Sequence, residues 1–302
     1  DEYDAVFFGS SRVYRAFSPE VFAQELKKEN GELRAFNFGV GHMRSHEMNV
    51  LIERVLAMKP KRLKYVFIEV MDWTPPILEG ESGHERVIAW HTPRETLSAC
   101  RTVWLTDAPL AEKLEQCRTH LLHFVAHHAN YGGGTRWLAL HWGRDPRFHQ
   151  LLADFGKGDG FVPIDQEPGR RFQERREEFL TIDYERFAKE VAAIPAENAR
   201  AGALDRFNLQ AQLDQQRRID EAGAIPIYVL PNLRWGTPDM NRLYRDGHLD
   251  HVLHYNHPLK YPALYDRGHY WDRGHLNREG ARIFTTILAD DFAAMLESGS
   301  GD

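Results

Sequence analysis

The feature that most restricts the fold is an alternation of short apolar runs with amphipathic stretches over the first seventy residues. Ala5-Val6-Phe7-Phe8 is an apolar run closed by Gly9, the pattern of a strand buried on both faces. Ser18-Pro19-Glu20 then supplies an N-cap, a first-turn proline and a first-turn acid. These open a predicted helix to about residue 28, and Asn30-Gly31 closes it. Residues 33–38 read as a second strand. Between 46 and 58, Met48, Leu51, Ile52, Val55 and Leu56 share one helical face, and Pro60 ends the helix. Residues 65–70 read as a third strand. Strand, helix, strand, helix, strand predicts a parallel sheet with helices on both faces.

The rhythm breaks at Thr74-Pro75-Pro76. From there to about residue 203 the chain reads as helical or irregular, interrupted by Gly132-Gly133-Gly134. Residues 110–128 carry Leu114, Cys117, Leu121, Leu122 and Val125 at helical spacing, and 179–191 form another predicted helix. This stretch has no strand-rich core of its own. Alternation resumes with a helix over 204–222, a strand over 225–230 and a loop-rich stretch from 231 to 271. Asn277 caps a last helix whose apolar face is Ala281, Phe284, Leu288, Phe292 and Met295. The expected fold class is α/β, a three-layer α/β/α sandwich with a parallel sheet. Residues 1–74 and 203–298 form the core, 75–202 a mostly helical insertion capping the substrate side, and 299–302 a flexible tail.

Composition narrows the function. The 302 residues carry 38 Lys and Arg against 44 Asp and Glu, a net charge of −6. Nucleic acid is therefore not an expected partner, because a phosphate backbone calls for a basic face. No apolar stretch approaches the roughly eighteen residues that span a bilayer. The first residue is Asp1 and strand-like sequence begins by Ala5, so a signal peptide or membrane anchor is expected to have been removed upstream. Cys100 and Cys117 are the only cysteines; they make no disulfide framework and no CxxC site. Histidine is abundant, at sixteen. His248, His251, His254 and His257 recur every three residues, and His123, His127 and His128 sit at helical spacing. Gly247 and Pro258 cut the first run, and neither group has a Cys or acid at a familiar metal spacing, so no metal site is expected. Trp90, Trp104, Trp137, Trp142 and Trp235 suit either a sugar-stacking platform or the insertion's own core.

Two segments carry residues for nucleophilic chemistry. Gly9-Ser10-Ser11 lies at the carboxyl end of the first strand, where parallel α/β sheets place ligands. Asp272-Arg273-Gly274-His275 directly precedes the last helix. A serine nucleophile needs a base within hydrogen-bond reach and an acid to orient that base. An Asp and a His three residues apart on one turn can both serve it from one side. Asp266-Arg267-Gly268-His269 repeats the tetrad six residues earlier, but only the second copy runs on through Leu276-Asn277-Arg278-Glu279-Gly280 into a helix. An α/β-hydrolase is not indicated, since Gly9-Ser10-Ser11-Arg12-Val13 lacks the second glycine of G-x-S-x-G.

Glycine-x-serine after the first strand, Asn37-Phe38-Gly39-Val40-Gly41 after the second, and D-x-x-H-L-N-x-x-G before the last helix together resemble the SGNH (GDSL-like) hydrolase superfamily. The stretch from Phe8 to Tyr14, followed by Phe17-Ser18-Pro19, resembles its extracytoplasmic members, which include accessory proteins of D-alanine and acetyl transfer to cell-envelope polymers that often work beside membrane-bound O-acyltransferases. The resemblance covers 1–74 and 203–298. It implies Ser11 as nucleophile, His275 as general base and Asp272 as the acid that orients it. Ser10 stands where the family has aspartate. The oxyanion donors it implies are the Ser11 amide and a glycine amide of the second block, Gly41 ahead of Gly39. The family's third-block asparagine is absent: the chain has Glu69-Val70-Met71-Asp72-Trp73 there. Asn232, after the fourth strand, is the candidate replacement. Arg12, Asp72 and Trp73 are the expected substrate contacts. The implied function is a serine-dependent esterase or O-acyltransferase, acting on O-acetyl or similar groups of an extracytoplasmic polysaccharide, without a cofactor. The implied partners are a carbohydrate polymer or small acyl ester and a membrane-bound O-acyltransferase. The alternative is a catalytically inactive accessory that binds the polymer or the acyltransferase.

Overall fold

The computed structural model describes residues 2–28, 32–71, 73, 85–130, 158–166, 169–203 and 206–299. Asp72, Pro75 and Pro76, the Gly132-Gly133-Gly134 break, Trp137 and Trp142, and the tail from 300 lie outside those residues. The chain forms two compact units. One comprises Asp1–Met43, Lys59–Val70 and Gly158–Asp302; the other comprises Arg44–Met58 and Met71–Lys157.

The first unit is built on five parallel strands: β1 (Ala5–Gly9), β2 (Ala35–Gly39), β3 (Tyr65–Glu69), β4 (Ile225–Leu230) and β5 (Val252–His254). Their order across the sheet is β2-β1-β3-β4-β5. Gly9 lies opposite Gly39 and Phe8 opposite Ile68, so the strands after which the proposed site residues fall end at one level. One face of the sheet buries Phe7, Phe67, Ile227 and Val229 against Phe17, Phe22 and Phe292. The last three come from the segments of α1 (Ser11–Ala16), α2 (Pro19–Lys28) and the C-terminal helix α11 (Arg278–Gly299). Each phenylalanine removed from water contributes on the order of 2 kcal/mol, so this cluster is the main anchor of the sheet. On the opposite face Tyr228 of β4 donates its hydroxyl to the Gln212 carbonyl of α9 (Arg206–Glu221) at 3.0 Å. The unit is thus an α/β fold with helices on both faces.

Two features depart from the sequence-based division. Residues 158–203 belong to the α/β unit. Their helices α7 (Arg170–Glu178) and α8 (Tyr184–Asn198), joined by a π-turn over Phe179–Asp183, supply Phe179, Phe187 and Ile194 to its core. The apolar stripe at this spacing packs on Tyr270, with Phe187 and Tyr270 ring centroids 4.6 Å apart. The loop-rich stretch also hides α10 (Pro238–Arg245) and the fifth parallel strand. That strand is only three residues long and ends in His254, too short for an apolar run to announce it.

The second unit contains α3 (Ser45–Ala57), α4 (Glu85–Ala89), α5 (Pro93–Leu105) and α6 (Leu110–His128). Here α6 is turned opposite to its pattern. Leu110, Leu114, Leu121, Leu122 and Val125 are all more than half exposed, while His120 and His123 are buried. The buried side meets histidines: His91 Nε2 lies 3.0 Å from His120 Nδ1, and the His91 ring stacks on Trp90 with centroids 3.7 Å apart. His46 Nδ1 lies 2.8 Å from Glu95 Oε2, and Asn49 donates to the other oxygen of that carboxylate at 2.6 Å. Cys100 and Cys117 are free thiols, with Cys117 Sγ 3.9 Å from the Cys100 carbonyl. Burial, followed by the neighbouring Cys117, pushes the Cys100 thiol up to about 12.

Candidate active site

The strand-to-helix turn after β1 sets out the first part of the site. Ser10 is extended (φ −77°, ψ −163°), and its hydroxyl oxygen accepts from the Arg12 amide at 3.3 Å, capping α1. Ser11 is the first residue of that helix. Gly9 is required there, because a Cβ would come within 2.3 Å of Val13 and 2.6 Å of the Glu69 carboxylate. The loop after β2 is tied to this turn by the Val40 amide, which donates to the Gly9 carbonyl at 2.9 Å. Gly41 sits in that loop, closed by a bond from the Met43 amide to the Val40 carbonyl at 3.0 Å.

The turn between β6 (Tyr270–Asp272) and β7 (His275–Leu276) sets out the second part. These two short strands pair antiparallel, with Asp272 directly opposite His275. His275 Nδ1 lies 2.9 Å from Asp272 Oδ1 and 3.1 Å from Oδ2, and its Nε2 lies 2.9 Å from Ser11 Oγ. A carboxylate only accepts, so Nδ1 carries the proton and Nε2 is the acceptor facing the Ser11 hydroxyl. Asp272 is buried, which opposes its charge. The hydrogen bond and charge of His275, the Gly274 amide at 2.8 Å and the Arg175 guanidinium outweigh burial and hold its carboxyl below the usual range.

The structure separates the two D-R-G-H copies. In both, the aspartate accepts from the glycine amide two residues on, at 2.6 Å for Asp266 and 2.8 Å for Asp272. His269, however, bonds the Ala263 carbonyl through Nδ1 at 2.7 Å rather than its own aspartate. The residues that follow place the second copy. Asn277 caps α11 by accepting from the Gly280 amide at 2.9 Å. A Cβ at Gly280 would lie 2.2 Å from the His269 carbonyl. The L-N-x-x-G pattern thus seats the helix against the Gly268–His269 turn, directly before the strand that leads to Asp272.

The structure likewise separates the two serines. Ser11 contacts His275, whereas Ser10 is 7% exposed and donates its hydroxyl to Glu69 Oε1 at 3.2 Å. Several other expected positions differ. The Gly39 amide donates to Asn37 Oδ1 at 2.8 Å, so it is spent within the fold. The Asn37 side-chain nitrogen donates to the Val13 and Phe17 carbonyls at 2.8 and 2.7 Å, stapling α1 to β2. Asn232 does not fill the place of the missing asparagine: its side-chain nitrogen donates to the Leu264 carbonyl at 3.1 Å and to the Tyr270 hydroxyl at 2.6 Å. Trp73 belongs to the second unit and is 3% exposed, edge-on to His46 at 5.2 Å, so its indole presents no surface to a substrate. Asp72 lies outside the described residues. Arg12 sits beside Ser11, with Nε 2.6 Å from Glu69 Oε1.

Three site residues escape sequence reasoning. Glu69 is 1% exposed at the end of β3, and its one sequence signal is an acid closing an otherwise apolar strand. Arg175 contacts Asp272 across nearly a hundred residues, and no local pattern marks it. Glu190 takes Arg273 of the Asp272–His275 turn at 2.5 Å. Burial opposes its charge, but Arg273 leads the cations that hold its carboxyl low. A cavity of about 30 Å³ is lined by Arg12, Glu69, Asn232, Tyr270 and Gly274 together with apolar side chains of the sheet and helices. Among the described residues, no group of three or more His, Cys, Asp or Glu could hold a metal ion. No protein-family model matches the chain, and no curated protein matches it.

Proposed function

We propose that the protein is a serine-dependent acyl-ester hydrolase or O-acyltransferase of the SGNH type. The observation that carries the reading is the continuous chain from Ser11 Oγ through His275 to Asp272, each link at 2.9 Å. Ser11 would attack the ester carbonyl while His275 Nε2 takes its proton and later returns it to the leaving alkoxide. Asp272 orients the imidazole and stabilises the imidazolium. The acyl group on Ser11 then passes to water or to a sugar hydroxyl. The resemblance of the Phe8–Tyr14 stretch to extracytoplasmic family members supports an O-acetylated or similarly acylated carbohydrate polymer outside the cytoplasm as substrate or acceptor.

Steady-state hydrolysis of aryl acetates and of acetylated polysaccharides tests the reading. Ser11→Ala and His275→Ala should each lose nearly all turnover; retention of the wild-type rate by both would reject it. One observation favours a second reading, a non-catalytic accessory that binds polymer or a membrane-bound acyltransferase. Asn232 commits its N–H groups inside the fold and leaves the third oxyanion donor unfilled by that residue. On this reading the folded protein binds polysaccharide but turns over no ester.

A further inference from the structure

The turn that carries Ser11 also holds a charged pair that the triad does not use. The Glu69 carboxylate is buried at the end of β3, and three donors surround it. Its Oε2 accepts the Ser10 amide at 2.5 Å, and its Oε1 accepts the Ser10 hydroxyl at 3.2 Å and Arg12 Nε at 2.6 Å. A carboxylate this deep is costly unless fully satisfied, so the network fixes the residues on both sides of Ser11. It takes only one edge of Arg12. Both terminal Nη groups have no acceptor among the described residues, and the side chain is 29% exposed. Arg12 lines the same cavity as Gly274, which lies in the turn between Asp272 and His275.

Attack on an ester creates an anionic oxygen that preorganised donors must receive. The Ser11 amide has no acceptor among the described residues and is available. The Gly39 amide and the Asn232 side chain are both committed. Arg12 is the remaining charged donor adjacent to the nucleophile.

We propose that Arg12 is a catalytic residue of this site, supplying to the oxyanion the donor that asparagine supplies in SGNH enzymes. The proposal rests on the reading of Ser11 as nucleophile. As the Ser11 Oγ–carbon bond forms, the carbonyl π pair moves onto oxygen and the serine proton passes to His275 Nε2. The oxyanion accepts from an Arg12 Nη–H and from the Ser11 amide. Its collapse restores the carbonyl, breaks the bond to the leaving alkoxide, and sends the proton from His275 to that alkoxide. The guanidinium keeps its protons throughout. Glu69 acts through Arg12 and is a positioning residue.

Kinetics on p-nitrophenyl acetate with and without added guanidinium at non-denaturing concentration test the assignment. Arg12→Ala should lower kcat by about 100-fold with KM nearly unchanged, the size of effect seen when one oxyanion donor is removed. Free guanidinium should restore part of that loss, an effect that a purely structural arginine would not show. Arg12→Lys keeps a cation opposite Glu69 and so keeps the fold, yet it cannot hold Glu69 and the oxyanion together. It should lose at least about tenfold. Arg12 variants within threefold of wild type, or a folded Arg12→Ala that guanidinium does not rescue, overturn the assignment while an inactive Ser11→Ala leaves the nucleophile standing. A wild-type rate no greater than that of Ser11→Ala sinks the nucleophile reading itself.

Discussion

Each unit of the molecule contains a histidine held by a carboxylate at nearly the same distance. In the α/β unit His275 Nδ1 lies 2.9 Å from Asp272; in the helical unit His46 Nδ1 lies 2.8 Å from Glu95. The other nitrogen separates them. His275 Nε2 meets the Ser11 hydroxyl, and its side chain is 19% exposed. His46 Nε2 is buried without a partner, in a ring 1% exposed and stacked on Trp90 at 5.4 Å. A histidine–carboxylate pair orients an imidazole in either setting. Only a nucleophile and an open path to solvent make that imidazole a candidate base.

Paired substitutions break the comparison most sharply. His275→Ala should lower kcat by at least about 10³-fold, the scale for losing a member of a catalytic unit, and leave the melting temperature within a few degrees. His46→Leu should do the reverse. It strands the buried Glu95 carboxylate and should cost about 3 kcal/mol in urea unfolding, while kcat of the folded protein stays within threefold. If His46→Leu abolished turnover in folded protein, the distinction between the two pairs would be lost.

Acid should reveal the helical unit next. Burial pushes His91 down to about 3 and His120 down to about 4, against an ordinary 6.5. Between those values the unfolded chain binds protons that the native cluster refuses, so stability is complete above about pH 6.5 and falls as pH drops towards 4. His120 alone accounts for about 3 kcal/mol of that loss. Hydrogen-bond direction gives the cluster its neutral form. The Val87 carbonyl accepts from His91 Nδ1 at 2.7 Å, so His91 Nε2 accepts from His120 Nδ1. Urea midpoints followed by tryptophan fluorescence, which Trp90 reports at close range, should show a smaller acid slope in His120→Leu. An unchanged slope would show that His120 does not titrate against folding.

A smaller effect should come from the seat of the last helix. Gly280→Ala forces a methyl against the His269 carbonyl and should cost about 1–3 kcal/mol, with kcat falling because the His275 turn shifts. Least of all, Leu114→Gln on the exposed side of α6 should change stability by less than about 0.5 kcal/mol, although leucine at that spacing reads as core.

That last contrast shows what the sequence makes legible. The four longer parallel strands announce themselves through apolar runs ended by glycine, proline or a polar residue. The second D-R-G-H announces itself through the capped helix that follows. What stays hidden depends on partners remote in sequence. Arg175 and Glu190 reach the Asp272–His275 turn from α7 and α8, and Glu69 looks like the ordinary end of a strand. The orientation of α6 is hidden too, because helical spacing tells which residues share a face and not which face is covered. The boundary at 203 misleads for the same reason: Phe179 and Phe187 sit on a helical stripe and pack on Tyr270, more than eighty residues on.

The most direct test of the central claim is covalent labelling of the folded protein with a fluorophosphonate, followed by peptide mass spectrometry. The Ser11–His275–Asp272 geometry predicts one adduct, on Ser11, that disappears in His275→Ala. No adduct on folded wild-type protein, or an adduct on Ser10, would contradict it.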